Sequence, residues 1–159
     1  MSAAVTRRIL FVCTANICRS PMAQALFNAQ AAKRNEAGAW SARSAGTWAA
    51  ENQAASGHAV TVMAQRGLKI QSHRAHQVDG TSMEEADVVV VMTRNHRDAL
   101  MSEFPAQRKK IHLMSELEGR EYDIADPYGG TLDEYEIRAR EFEQLIERGY
   151  ERIKEWVPE

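Results

Sequence analysis

The chain has 159 residues, a net charge near −2 with both signs interspersed, and 44% hydrophobic residues. That length suits one domain with a proper core, and the charge balance gives no reason to expect nucleic acid or a membrane surface as partner. Its two cysteines, Cys13 and Cys18, lie close together and are too few for a disulfide scaffold or a closed zinc site, so a reducing cytoplasm, no metal and no cofactor are expected.

In chain order, residues 1–7 lack the pattern of a signal peptide and read as a loose tail. Residues 8–12 form a short apolar run suited to a buried strand. After a loop, Ser20-Pro21 suit the N-cap and first position of a helix predicted over 21–35. Met22, Ala25, Leu26 and Ala29 recur there at helical spacing, and Gly38 follows its end. Residues 40–44 alternate weakly and make a second strand. Ser44-Ala45-Gly46-Thr47-Trp48 then leaves the C-terminal edge, where open α/β sheets bind ligands.

A second helix is predicted over 54–66, stopped by Gly67, and 69–77 is irregular with His73 and His76. Thr81-Ser82-Met83-Glu84 has the form of a capping box opening a short helix. Residues 87–92, Asp-Val-Val-Val-Val-Met, are apolar on both faces, which demands helices on each side and hence a parallel sheet. Thr93 caps a helix that Pro105 ends, and 111–113 is a brief fourth strand. Residues 115–130 are mostly loop, with Asp126-Pro127-Tyr128-Gly129-Gly130 as a turn signal. A second capping box at 131–134 opens the last helix. Its stripe is Leu132, Tyr135, Ala139, Phe142, Ile146, Tyr150, Ile153 and Val157. Alternating strands and helices give βαβ units. The expectation is an α/β, three-layer single domain over 1–159, a four-stranded parallel sheet flanked by helices on both faces.

The chemistry concentrates where the first strand meets the first helix. A strand, a tight loop and a helix N-terminus make an anion cradle of converging N–H groups. Into it the sequence places a thiol, Cys13, and a guanidinium, Arg19, with five residues between. Such surroundings favour a thiolate, a good nucleophile towards phosphorus, and Arg presents a planar fork to two phosphoryl oxygens. By themselves, a lone cysteine is as readily a small buried hydrophobe and Asp126 an ordinary turn residue.

Cys-x5-Arg-Ser-Pro after an apolar strand, with Asp126-Pro127-Tyr128 far downstream, resembles the low-molecular-weight protein tyrosine phosphatases over nearly the whole chain. The resemblance implies strand order 2-1-3-4. It also implies hydrolysis of phosphotyrosine in a protein substrate, by a monomer, through a phosphocysteine intermediate. Cys13 is then the nucleophile, Arg19 the phosphate clamp and Asp126 the general acid and base. Thr14, Ala15, Asn16, Ile17, Cys18 and Ser20 surround the phosphate. Ser20 is either a plain N-cap or a hydroxyl donating to the Cys13 sulfur. Asn16, Ser44 and His73 brace the loop, with His76 as rival for the histidine's place. Cys18 is implied to form a reversible disulfide with Cys13 under oxidation.

The chain departs from the family pattern at Ala15, where many relatives carry Gly. If that position needs φ > 0, Ala15 is strained by about 1 kcal/mol. Met92-Thr93 and Asp126 to Gly130 are similar to a bacterial branch that includes protein arginine phosphatases. Those enzymes commonly carry Thr where this chain has Ile17, an aliphatic residue typical of tyrosine-directed members. Trp48 and Tyr128 would form aromatic walls deep enough for a phenyl ring. Phosphotyrosine is therefore favoured, with phosphoarginine as alternative. An arsenate reductase of this fold would need a further cysteine outside the loop, which the chain lacks. A non-catalytic phospho-binding domain would be expected to have lost Cys, Arg or Asp, and all three are present.

Overall fold

The computed structural model describes residues 6–158, so the first five positions of the expected tail lie outside the described residues. Its last residue, Arg7, is already paired in β1 (Arg7–Cys13). β2 (Trp40–Gly46), β3 (Val88–Val91) and β4 (Ile111–Leu113) complete a parallel sheet of order β2-β1-β3-β4. Register sets Cys13 against Gly46 and Val12 against Val91, so three strand ends share one edge. Among the described residues, five α-helices connect or cover the strands: α1 (Arg19–Lys33), α2 (Gly57–Ala64), α3 (Gly80–Glu85), α4 (Arg94–Glu103) and α5 (Leu132–Trp156).

Side chains alternate across the sheet with period two, and this splits the core into two apolar layers. Ile9, Phe11, Cys13, Val88 and Val90 face one way, into the layer that α1, α2 and α5 complete. Leu10, Val12, Val89 and Val91 face the other, with Met83, Leu100, Ile111 and Leu113. Burial of both faces is what the all-apolar run at 88–91 required. In the first layer, Phe27 meets the Trp40 ring edge-on at 5.0 Å and stacks on Tyr150 at 5.8 Å. The Trp40 indole N–H donates to the Tyr150 hydroxyl at 2.9 Å, so neither buried polar atom is orphaned.

Several element ends differ from expectation, each for a local reason. The first helix starts at Arg19, two residues early, with Cys18 at the N-cap and no side-chain cap bond. Ser20 is therefore not the cap; its hydroxyl is engaged elsewhere. Pro21 still sits in the first turn, where no intrahelical donor is needed. Asn35, at φ 58°, ends that helix instead of Gly38. Glu36 N–H reaches Ala31 O at 2.8 Å and Asn35 N–H reaches Ala32 O at 3.1 Å, a Schellman closure. The second helix starts at Gly57, later than expected, because residues 52–56 are occupied in bonds to Ala75 and Ile17. The short third helix is capped by Asp79 with Ser82, so the box lies upstream of Thr81. Thr93 caps α4 as expected, with His96 returning the bond. Thr131 accepts from Glu134 N–H at 3.3 Å at the start of α5. Leu132 is exposed there, and Leu145 and Gly149 join the buried stripe.

Gly149 packs the last helix against Met114–Glu118. A Cβ at Gly149 would lie 2.6 Å from Leu117 Cβ and 2.9 Å from Leu117 O. Gly to Ala in a helix interior gains about 1 kcal/mol, whereas overpacking a tight contact costs about 1–3 kcal/mol. Gly149→Ala is expected to be net destabilising in urea unfolding, against the helix-propensity trend.

Candidate active site

The loop from Cys13 to Cys18 is shaped by where its carbonyls go. Cys13 O accepts from Thr47 N–H and Thr14 O from Trp48 N–H, each at 2.9 Å. Asn16 O accepts from His73 Nε2 at 2.7 Å, Ile17 O from Ser56 N–H at 2.9 Å, and Cys18 O from Met22 N–H at 3.3 Å. A carbonyl only accepts, so His73 carries its proton on Nε2. By contrast, none of the N–H groups from Thr14 to Cys18 donates to a carbonyl among the described residues. The loop thus turns its negative ends outward and keeps its donors for an anion. Gly46 is required beside it, since a Cβ there would lie 2.4 Å from Thr14 O and 3.1 Å from Asn16 N.

Asn16 holds this shape together. It is fully buried and adopts φ 59°, the left-handed region that Asn tolerates best after Gly. Ala15 is not among the residues at positive φ, so the strain considered for it does not arise. His76 N–H donates to Asn16 Oδ1 at 2.9 Å, which fixes the amide orientation. Both hydrogens of Asn16 Nδ2 are then assigned, to Ser20 Oγ at 2.7 Å and Ser44 Oγ at 3.0 Å. Ser20, having accepted one bond, keeps its own hydrogen. Cys13 Sγ lies 2.9 Å from it, and Ala45 O, the competing acceptor, lies 3.5 Å away. The Ser20 hydroxyl hydrogen thus has two acceptors in reach, of which the Cys13 sulfur is the nearer. The two histidines divide the bracing between a His73 side chain and a His76 backbone, while the His76 ring lies near Glu51 and Asp79.

Arg19 is buried and anchored at three points. Nη1 donates to Ile124 O at 2.9 Å; Nη2 reaches Thr14 Oγ1 and Asp126 Oδ2, each at 3.4 Å. The segment that brings Asp126 is itself latched, with Ile124 N–H on Met92 O and Asp123 on the Arg94 backbone and side chain. Asp126 Oδ1 accepts from Tyr128 N–H at 3.0 Å, the expected turn, while Oδ2 is the atom that faces Arg19. Its side chain is 47% exposed.

Cys13 to Arg19, Gln53, Asp126 and Tyr128 line one cleft of about 290 Å³. Trp48 is the exception among the expected wall residues. The residue is 83% exposed and outside the lining, and its contribution is the backbone N–H on Thr14. Gln53 stands on the wall and carried no sequence signal. Cys18 and Cys13 are both free. The Cys18 sulfur contacts Ser56 Oγ at 3.4 Å and Tyr135 OH at 3.3 Å. Burial is the largest cause pushing the Cys18 thiol up, and burial likewise pushes Tyr135 up to about 12, so the pair is neutral.

His96 is the other residue that sequence reasoning missed. It is buried, with Nε2 at 2.8 Å from Thr14 Oγ1 and Nδ1 accepting from Thr93 N–H at 3.2 Å. Desolvation first, then the Arg19 charge, holds it down to about 4. The available signal was its place three residues after the expected cap Thr93, on the edge that binds ligands.

A family model described as low molecular weight phosphotyrosine protein phosphatase matches residues 8–158. A protein-arginine-phosphatase of Geobacillus stearothermophilus is 38% identical over 148 residues, 92% of this chain and 96% of that one. A probable low molecular weight protein-tyrosine-phosphatase, EpsP, of Ralstonia nicotianae is 38% identical over 152 residues, 96% and 94% of the two chains. The crystal structure of a low molecular weight protein tyrosine phosphatase from T. tengcongensis superposes with TM-score 0.87 at 39% identity, covering 92% of this chain and 99% of that one.

Two outcomes follow from this geometry. Asn16→Ala loses three side-chain bonds and places a less tolerant residue at φ 59°. A loss of about 3 kcal/mol in denaturant unfolding is expected, and Asn16→Gly should recover about 1 kcal/mol of it, the backbone share. His96, neutral in the fold, binds its proton at lower pH than in the unfolded chain. Its contribution is full above about pH 6.5 and is lost as pH falls towards 4. That amounts to about 3 kcal/mol, and urea titrations of wild type and His96→Asn across this range measure it.

Proposed function

The chain belongs to the low molecular weight phosphotyrosine protein phosphatase family, phosphoric monoester hydrolases, and on that footing we propose that Cys13, Arg19 and Asp126 carry the reaction. The observation that supports this most directly is one cleft bordered by the thiol, the guanidinium and the carboxylate, with loop donors left unbonded.

In the first step the Cys13 thiolate attacks phosphorus. The S–P bond forms as the bond from phosphorus to the phenolic oxygen breaks, and Asp126 gives its proton to that oxygen. Arg19 and the loop N–H groups hold the equatorial oxygens, where charge accumulates. In the second step Asp126, now a carboxylate, takes a proton from water. The new O–P bond forms, the S–P bond breaks and phosphate leaves. The Ser20 hydroxyl, 2.9 Å from the sulfur, stabilises the thiolate before attack and after release.

The proposed substrate is a phosphotyrosine side chain in a protein. Ala15, Ile17 and Tyr128 give the cleft aliphatic and aromatic walls, which suit a phenyl ring. A phosphoarginine leaving group carries guanidinium N–H donors that need acceptors, and Asp126 is the one carboxylate on the lining. Phosphoarginine remains a second reading because relatives 38% and 36% identical are named protein-arginine-phosphatases. The two free thiols suit a cytoplasmic setting.

With p-nitrophenyl phosphate, Cys13→Ser is expected to abolish turnover, and equal rates would remove Cys13 from the mechanism. Asp126→Ala is expected to lower kcat by about 10²–10⁴-fold with unchanged unfolding, the range of a general acid and base. Released phosphate from phosphotyrosine and phosphoarginine, compared as kcat/KM, decides the substrate; a preference for phosphoarginine would overturn the aromatic assignment.

A further inference from the structure

The Thr14–His96 contact has a polarity set by the backbone N–H of Thr93. Thr93 N–H is a donor and nothing else, and it meets His96 Nδ1 at 3.2 Å. Nδ1 is therefore an acceptor, and a neutral imidazole with an accepting Nδ1 carries its hydrogen on Nε2. An imidazolium would set Nδ1–H against Thr93 N–H, and its environment resists that charge through burial and the nearby Arg19. The Nε2–H consequently donates to Thr14 Oγ1 at 2.8 Å, and Arg19 Nη2 approaches the same oxygen at 3.4 Å. Two donors fill the two lone pairs of that hydroxyl. Its own hydrogen has no acceptor among the described residues, and Thr14 lines the cleft.

We propose that His96 is a positioning residue: by donating from Nε2 to Thr14, it turns the Thr14 hydroxyl into an additional donor to a phosphoryl oxygen bound in the cleft. This rests on the reading of the cleft as a phosphoryl site. It assigns a second job to the α4 cap. The Thr93–His96 box stabilises the helix start and, through the same ring, sets the direction of a hydrogen bond one element away. No proton is transferred by His96 in this role.

The two ring nitrogens can be tested separately. An Asn at 96 offers an acceptor near the Nδ1 position and no donor near Nε2; a Gln offers a donor near Nε2 and no acceptor near Nδ1. Inorganic phosphate binding, measured by calorimetry, is expected to weaken roughly tenfold in Thr14→Val and by a similar factor in His96→Asn, the loss of about one bond to a charged group. His96→Gln should lose clearly less phosphate affinity than His96→Asn while melting lower, because it gives up the cap. Thr14→Ser should recover most of what Thr14→Val loses. In the double variant His96→Asn with Thr14→Val, affinity should match Thr14→Val alone, since both remove the same bond.

Losses that multiply in the double variant, or phosphate affinity in Thr14→Val equal to wild type, would overturn the role given to His96. So would phosphate affinity that simply follows melting temperature across the His96 series. Wild-type turnover of p-nitrophenyl phosphate separates the two levels. Turnover with multiplying losses removes only the His96 role, and absence of both turnover and phosphate binding removes the site reading itself.

Discussion

The site depends on the outward bonding of the loop carbonyls. Five of the six carbonyls from Cys13 to Cys18 are held by donors from Thr47, Trp48, Ser56, Met22 and the His73 ring. A peptide group is rigid, so fixing its carbonyl outward leaves its N–H facing the other way. The electropositive character of the cradle is thus made by residues that never touch the cleft. The arrangement also explains why the Gly57–Ala64 helix starts late and why β2 runs on to Gly46. Both segments are committed to holding the loop.

Backbone donors give direction to the hydrogen bonds around the loop. The backbone N–H of His76 orients the Asn16 amide, the amide supplies Ser20 and Ser44, and Ser20 is left with one hydrogen beside the Cys13 sulfur. A second chain of the same kind runs from Thr93 N–H through the His96 ring to Thr14. Each begins at a backbone N–H, which cannot reverse its role, so the fold itself sets the polarity as far as Ser20 in the first and Thr14 in the second. The first ends at the proposed nucleophile and the second at the wall beside the proposed clamp.

The Arg19 anchor joins these networks to the third strand. Nη1 is bonded to Ile124 O, and Ile124 N–H is bonded to Met92 O at the end of β3. Asp126, two residues further on, therefore reaches the cleft on a segment tied to the same sheet edge as Cys13. That is the economy of a parallel sheet, in which strand ends and the loops leaving them gather on one side.

The sequence by itself determined the architecture and most of the cleft. Four short strand signals alternating with helical ones, the one at 87–92 apolar on both faces, gave a parallel sheet covered on each side, while the strand order rested on the family resemblance. A thiol and a guanidinium with five residues between them, at a helix start, gave the cradle, and the turn at Asp126 was visible in its own residues. Local capping chemistry was legible at Thr93 and only partly elsewhere, because Asn35 and Asp79 ended or opened helices through bonds that compete with the stronger-looking Gly38 and Thr81. What the tertiary structure alone decided was partnership across long separations. Ser20 lies against the sulfur and does not cap the helix, and Asn16 takes one of its lone pairs. Trp48 contributes a backbone N–H and holds its ring away from the cleft, while Gln53 and His96 enter the site from segments 40 and 83 residues beyond Cys13. Periodicity and motif spacing register neighbours along the chain. Which lone pair meets which hydrogen is set only when distant segments are packed together.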